Sequence, residues 1–346
     1  MTNDRHSRAE LLQAVAAAIR APSVHNTQPW LFRLVDHSVE VHADSTRRLP
    51  VADPEGRAMR VSCGAAVFNL RLALEHRGYV PSVRLTGASD GLLATVDTEG
   101  RQSPTLQCAA LNEAILRRHS NRFPFLNRAV PLDVRAELIG AARVEGCWLD
   151  LILGSIGLDM VAQVVRAADR ILVADVSYIA EVAAWTRPDY GGLDGVPRPA
   201  GGPAPEPHDL LAARDFGGPS RPAGQDFESD PLVGVLGGPS DTPHDDVAVG
   251  EALQRVLLTA TRLGLSTSLL SQPIEVASAR EQLRIGLHRQ GSPHMVLRFG
   301  YGAPGRPTAR RPVEDVMLPD AEPVGALGPA SIGTFGTDAD AERGVN

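Results

Sequence analysis

Two stretches of this 346-residue chain, GAAVFNLRLALEHRG at 64–78 and GEALQRVLLTATRLG at 250–264, put glycine, small and apolar residues at the same places. Gly64 matches Gly250, Ala66 matches Ala252, Leu72 matches Leu258 and Gly78 matches Gly264, all at one offset. Read as a repeat, they divide the chain into two related halves, each built round an amphipathic helix that ends at glycine. Two unrelated glycine-ended helices match as well, so the pattern alone leaves both readings open.

The size allows either. A chain of this length that is 43% apolar can bury one large core or two ordinary ones. The net charge of −7 argues against a nucleic-acid or anionic-membrane partner. All 34 basic residues are arginine, which removes lysine Schiff-base chemistry. Cys63, Cys108 and Cys147 are odd in number and form no C-x-x-C pair, so no disulfide framework is expected. With a polar MTNDRHSRAE start, that favours the cytoplasm. The ten histidines show no zinc spacing, and no P-loop, GxGxxG or G-x-S-x-G stands in a context that would support it. No metal is expected.

The coarse order is a helix over Leu11–Ile19, a strand pair over Trp30–Val41, and a helix over Cys63–Arg77. A long amphipathic helix is expected over Asp159–Trp185. Pro188–Pro243 is rich in Pro and Gly and too long for an ordinary connection, so it reads as a lid, an excursion or a disordered segment. A helix over Gly250–Leu265 and a strand over His294–Phe299 follow, and Ala321–Asn346 reads as a flexible tail.

Four clusters carry candidate chemistry. In RAPSVHNTQPW, Pro22 and Pro29 stiffen a loop holding Ser23, Asn26 and Gln28; such a loop can face the polar edge of a flat heterocycle, or its groups can cap one another. In ILRRHSNRFPF, Arg117, Arg118 and Arg122 flank Ser120, a set that suits a phosphate or a solvated helix end. In SQPIE, Pro273 bends the chain ahead of Ile274 and Glu275, which can free a backbone amide or simply start a helix. Arg310 and Arg311 precede Pro312 and an expected short strand.

Taken together and in this order, PSVHNTQPW, RR-x-S-x-R, PIE and the late RRPVE resemble the nitroreductase-like FMN proteins, most of all the Acg-type NAD(P)H nitroreductases of actinobacteria. The likeness runs from about Leu11 to Leu318. It implies an α+β, nitroreductase-like fold in which two related halves are fused as a pseudo-dimer: 1–107, then 108–320 with a lid at 186–245, then a tail at 321–346. It implies one FMN per chain, with NAD(P)H as reductant and a nitroaromatic or quinone as acceptor. In that family Arg118, Ser120, Arg122 and Arg311 would hold the ribityl phosphate, with Arg117 and Arg310 beside them. Pro22, Ser23, Asn26 and Gln28 would hold the ring edge. Pro273, Ile274 and Glu275 would present an amide, that of Glu275, to flavin N5. No side-chain acid or base is implied. The resemblance further implies a monomer imitating a dimer, with a small-molecule substrate or none. A lid-covered flavin also admits a sequestering protein with little turnover, and loss of flavin would leave an interaction module.

Overall fold

The computed structural model describes residues 7–86, 91–221, 226–303 and 305–319. Helix α1 (Arg8–Ala18) opens on a capping box between Ser7 and Glu10. The hairpin β1 (Trp30–Val35) and β2 (Ser38–Ala43) follows, then α2 (Arg57–His76), β3 (Tyr79–Leu85) and β4 (Leu92–Arg101). These strands make an antiparallel sheet in the order β1-β2-β4-β3. Helix α3 (Leu106–Arg117) links this half to the next.

The second half repeats the plan. It runs α4 (Leu132–Val144), β5 (Trp148–Ile152), an insertion, β8 (Leu232–Gly237), α7 (Pro243–Arg262), β9 (Ser266–Leu270), two helices and β10 (Pro293–Gly300). The two helices are α8 (Gln272–Glu275) and α9 (Ala277–Gly286). Its sheet, in the order β5-β8-β10-β9, is antiparallel too. Replacing β1, β2, β3 and β4 by β5, β8, β9 and β10 turns one order into the other. The insertion therefore sits where the first half has its β1–β2 turn. It holds α5 (Ser155–Val173), α6 (Val176–Ala184) and the paired β6 (Thr186–Arg187) and β7 (Val196–Pro197).

The repeat seen in the sequence is the axis of the molecule. Helices α2 and α7 pack along each other. A Cβ at Gly64 would lie 2.0 Å from the Val247 carbonyl oxygen, and one at Gly250 would lie 2.1 Å from the Val61 oxygen. Val61 and Val247 are themselves separated by the repeat offset, so the contact is reciprocal, as across a two-fold axis. Buried side chains collect between each central helix and its own sheet, around Trp30, Phe32 and Leu70 in the first half and Leu236, Leu257 and Phe299 in the second.

Several expectations need correction. The helix expected over Asp159–Trp185 is two helices, broken where the Asp175 carboxylate accepts from Ser177 N–H and starts α6. The Pro/Gly stretch Pro188–Pro243 contains β8, an interior strand with all six residues buried. Its glycines are packing sites, not turns: a Cβ at Gly237 would lie 2.1 Å from the Trp148 ring. Helix α7 begins at Pro243, seven residues before Gly250, behind a Thr242–Asp245 capping box. Pro312 is followed by a 3₁₀ turn, Val313–Val316, not by a strand. The tail expected at 321–346 lies outside the described residues.

Candidate cofactor cleft

A cleft of about 1290 Å³, open solvent at its mouth included, runs between the halves. Pro22 and Ser23 line it from the first half, Ser120, Arg122, Ile274 and Glu275 from the second, and Ala213, Arg214 and Phe216 from the insertion. One chain thus supplies both sides.

The loop after α1 is held in a demanding shape. His25, Asn26 and Gln28 have φ of 51°, 55° and 52°, a region side chains avoid unless their surroundings enforce it. The surroundings do so. The Gln28 amide N–H donates to Ser23 Oγ at 2.9 Å. Gln28 Nε2 donates to the Leu193 carbonyl at 2.8 Å, and its Oε1 accepts from the Arg311 N–H at 2.8 Å. Asn26 Nδ2 donates to the carbonyls of Gly195 at 3.0 Å and Ala309 at 3.3 Å. Asn26 and Gln28, expected at the ring edge, thus clasp the insertion and the C-terminal strap, and neither lines the cleft. Asn26 Oδ1 is buried without a partner.

The arginines of the second cluster part company. Arg117 is exposed at the end of α3. Arg122 lines the cleft, donates to the Ala200 carbonyl at 3.1 Å and stands 5.1 Å from the Phe216 ring centre. Arg118 is buried, and its Nε and Nη1 have no hydrogen-bond partner. It shares a small recess with Arg20, Arg310 and Thr308. Burial, then Arg20 and Arg122, push the Arg118 pKa down to about 10. Burial, then Arg118 and Arg20, push Arg310 to about 9, and burial, then Arg214, push Arg122 to about 10. Each shift marks a cation that lacks compensating negative charge. Arg311 lies instead on the strap, donating to the Asp315 carbonyl, with Nη1 3.8 Å from Asp44.

In the SQPIE turn the amide expected to be free is engaged: the Ile274 and Glu275 N–H groups donate to the Ser271 carbonyl at 2.8 and 3.0 Å. Pro273 is buried in α8 without lining the cleft. The Glu275 carboxylate is paired with Arg214 at 2.6 Å.

At the far end, Arg57 and Arg60 reach Asp246 at 3.2 and 2.7 Å, and His294 Nε2 lies 3.0 Å from the same carboxylate. Asp241 joins through Arg57. Asp241, Asp246 and His294 stand close enough to share a cation, but the arginines already neutralise the carboxylates.

Sequence reasoning missed Arg20, His25, Tyr178, Arg214 and Phe216. His25 lay inside a motif already singled out. Arg214 and Tyr178 carry no spacing signal, because the partners that give them meaning, His25 and Glu275, lie 61 to 189 residues away.

Fold and cleft define a single-chain pseudo-dimer with a cleft between its halves. No protein-family model matches the chain. It is 31% identical over 326 residues to a Mycobacterium tuberculosis protein named "putative NAD(P)H nitroreductase", covering 91% of this chain and 93% of that one. It is 29% identical over 320 residues to the "putative NAD(P)H nitroreductase acg" of the same species, covering 88% and 94%. Among solved structures, a nitroreductase with bound FMN from Desulfitobacterium hafniense is 13% identical with a TM-score of 0.40, covering 61% of this chain and 98% of that one. The chain belongs to the nitroreductase family, in its Acg-type branch.

Proposed function

We propose that this protein is an FMN-dependent NAD(P)H oxidoreductase of the nitroreductase type, binding one FMN per chain in the cleft between its halves. The observation that carries the reading is the recess of Arg20, Arg118 and Arg310, with two buried Arg118 nitrogens lacking partners. A buried cation without a partner is costly, and a phosphate supplies both the charge and the acceptors it lacks. The donor set therefore fits a phosphorylated cofactor.

Arg118 would hold the phosphate, with Arg20 and Arg310 adding charge, since the Arg310 nitrogens already serve the carbonyls of Ala21, Thr308 and Ala309. Arg122 and Ser120 would reach the chain and ring, and Ser23 the ring edge. Asn26, Gln28 and Arg311 would act one step removed, fixing the loop that carries Ser23. Bound FMN would supply hydride acceptance from NAD(P)H and delivery to a nitroaromatic or quinone. The chain's own part is to bind, orient and exclude water. We take 1–107 and 108–320 as the two halves and the monomer as the working unit, since one chain lines both sides of the cleft.

An anaerobic absorption spectrum of the purified protein, before and after NADPH, tests this. Flavin bands that bleach support the reductase. A protein that stays colourless after FMN is supplied refutes the cofactor. Bands that persist favour a second reading, a protein that sequesters FMN. That reading draws support from Ala213, Arg214 and Phe216, which the insertion places in the cleft wall. No helix among the described residues is long and apolar enough to cross a membrane.

A further inference from the structure

Arg214 belongs to the insertion, 189 residues from His25 and 61 from Glu275, yet its guanidinium touches both. Nη1 donates to His25 Nε2 at 2.6 Å. Nη2 donates to both Glu275 carboxylate oxygens, at 2.6 and 2.7 Å. Nε donates to Tyr178 Oη at 2.7 Å, and that hydroxyl donates to Glu275 Oε2 at 3.2 Å. The Arg214 side chain is 10% exposed and that of Glu275 4%.

Each contact to the guanidinium is matched, while His25 Nδ1 on the far side of the ring is buried without a partner. Burial, then Arg214 and Arg122, hold His25 well below the usual imidazole value, so its ring is neutral and Nε2 accepts. Burial works against the Arg214 charge, but Glu275 and Tyr178 overcome it and raise its pKa. Beside it, the Phe216 ring meets His25 edge-on at 5.8 Å and lies under Arg122. Three separate pieces of chain meet at this one guanidinium: the loop after α1, helix α6 and the SQPIE turn.

We propose that Arg214 is a positioning residue for the flavin: it cross-links the loop after α1 to the SQPIE turn and sets a fixed positive charge, balanced by Glu275, where the two meet. The inference rests on the FMN reading above. It makes the insertion a part of the cofactor site and not a detachable cover. Without Arg214, Glu275 stays as a buried carboxylate with no cation beside it and only the Tyr178 hydroxyl as donor, and the guanidinium link from the loop to the turn is lost. A negative charge left there disfavours the electron-rich reduced flavin. Removing the Glu275 charge leaves Arg214 unbalanced and favours it.

The test is FMN titration and flavin midpoint potential for the wild-type chain, Arg214→Ala, Arg214→Lys and Glu275→Gln. Arg214→Ala should weaken FMN binding tenfold or more and lower the potential. Glu275→Gln should raise the potential. A tenfold change in the ratio of reduced to oxidised flavin affinity corresponds to about 30 mV for this two-electron couple. Arg214→Lys keeps the charge but loses the fork, so affinity should fall while the potential stays near wild type. Shifts of the same sign in Arg214→Ala and Glu275→Gln, or unchanged affinity and potential in Arg214→Ala, overturn the inference. If Arg214→Ala does not fold, Arg214→Lys and Glu275→Gln decide: unchanged affinity in the first, or a lowered potential in the second, overturns it. A wild-type chain that takes up no FMN refutes the cofactor reading itself, and this inference with it.

Discussion

Gly64 and Gly250 face each other across the contact between α2 and α7, so closely that a Cβ on Gly64 would come within 3.0 Å of the Gly250 Cα. Each also lies against a backbone carbonyl of the opposite helix. Neither side can yield by turning a side chain, because the obstructing atoms are backbone. The two halves are joined at the pair that their shared pattern marks.

Gly64→Ala and Gly250→Ala should therefore each destabilise the protein by about 2 kcal/mol or more, at the upper end of what overpacking costs. Gly140→Ala is the control: it sits in α4 with nothing within 4 Å of a Cβ, and the better helix propensity of alanine should leave it neutral or slightly stabilising. Urea unfolding of the three variants reads the difference. A Gly64→Ala protein as stable as wild type would show that the helices can separate at no cost.

Some of this was legible in the sequence. The repeat named the central helices, and the polar density of RAPSVHNTQPW and ILRRHSNRFPF named two walls of the cleft. What stayed hidden has physical causes. Strand β8 reads as loop because Gly234 and Gly237 are there to let neighbouring side chains in. The helix break at Asp175 depends on a cap, not on an apolar period. The expected roles of Asn26 and Gln28 assumed that polar groups in a loop face a ligand, whereas their amide nitrogens reach carbonyls 165 and more residues away. Arg214 has no local signature, since its meaning comes from His25 and Glu275.

Arg118 yields a prediction with opposite signs. Arg118→Ala should lower affinity for FMN at least tenfold, about 1.4 kcal/mol, while affinity for riboflavin, which lacks the phosphate, changes little. The ligand-free variant should be at least as stable as wild type, because an unpartnered buried cation is removed. Fluorescence titration with the two flavins and unfolding of the ligand-free protein check both halves. Equal losses for FMN and riboflavin would move the phosphate elsewhere.

Glu251 on α7 links pH to stability. Burial raises its pKa to about 7, against the pull of Arg71 and Arg255 and with the push of Glu145. A carboxyl whose folded pKa lies above its unfolded value binds its proton more tightly when folded. Its stabilising contribution is full below about pH 4.5 and is lost as pH rises through 7. At about 1.4 kcal/mol per unit, the loss between pH 5 and 8 is up to about 3 kcal/mol. Glu251→Gln should flatten that part of the stability profile and leave the variant at least as stable as wild type at pH 8. A profile for Glu251→Gln as steep as wild type would assign the pH dependence to other groups.

Asn26 separates a clasp from a ligand contact. Its Nδ2 holds the carbonyls of Gly195 in the insertion and Ala309 in the strap. Asn26→Ala should therefore release the insertion first: limited proteolysis near Leu193–Gly195 should quicken several-fold in the ligand-free protein. FMN occupancy should fall as a consequence, since the same loop presents Ser23 to the cleft. Arg187→Ala is the companion variant, because Arg187 pairs with Asp194 at 2.8 Å beside the same turn without lining the cleft. It should quicken proteolysis at that turn while leaving Asn26 in place. Occupancy that falls in Asn26→Ala with unchanged proteolysis would mean that the asparagine touches the cofactor directly. Proteolysis that quickens equally in both variants, with occupancy lost only in Asn26→Ala, would mean that it does both.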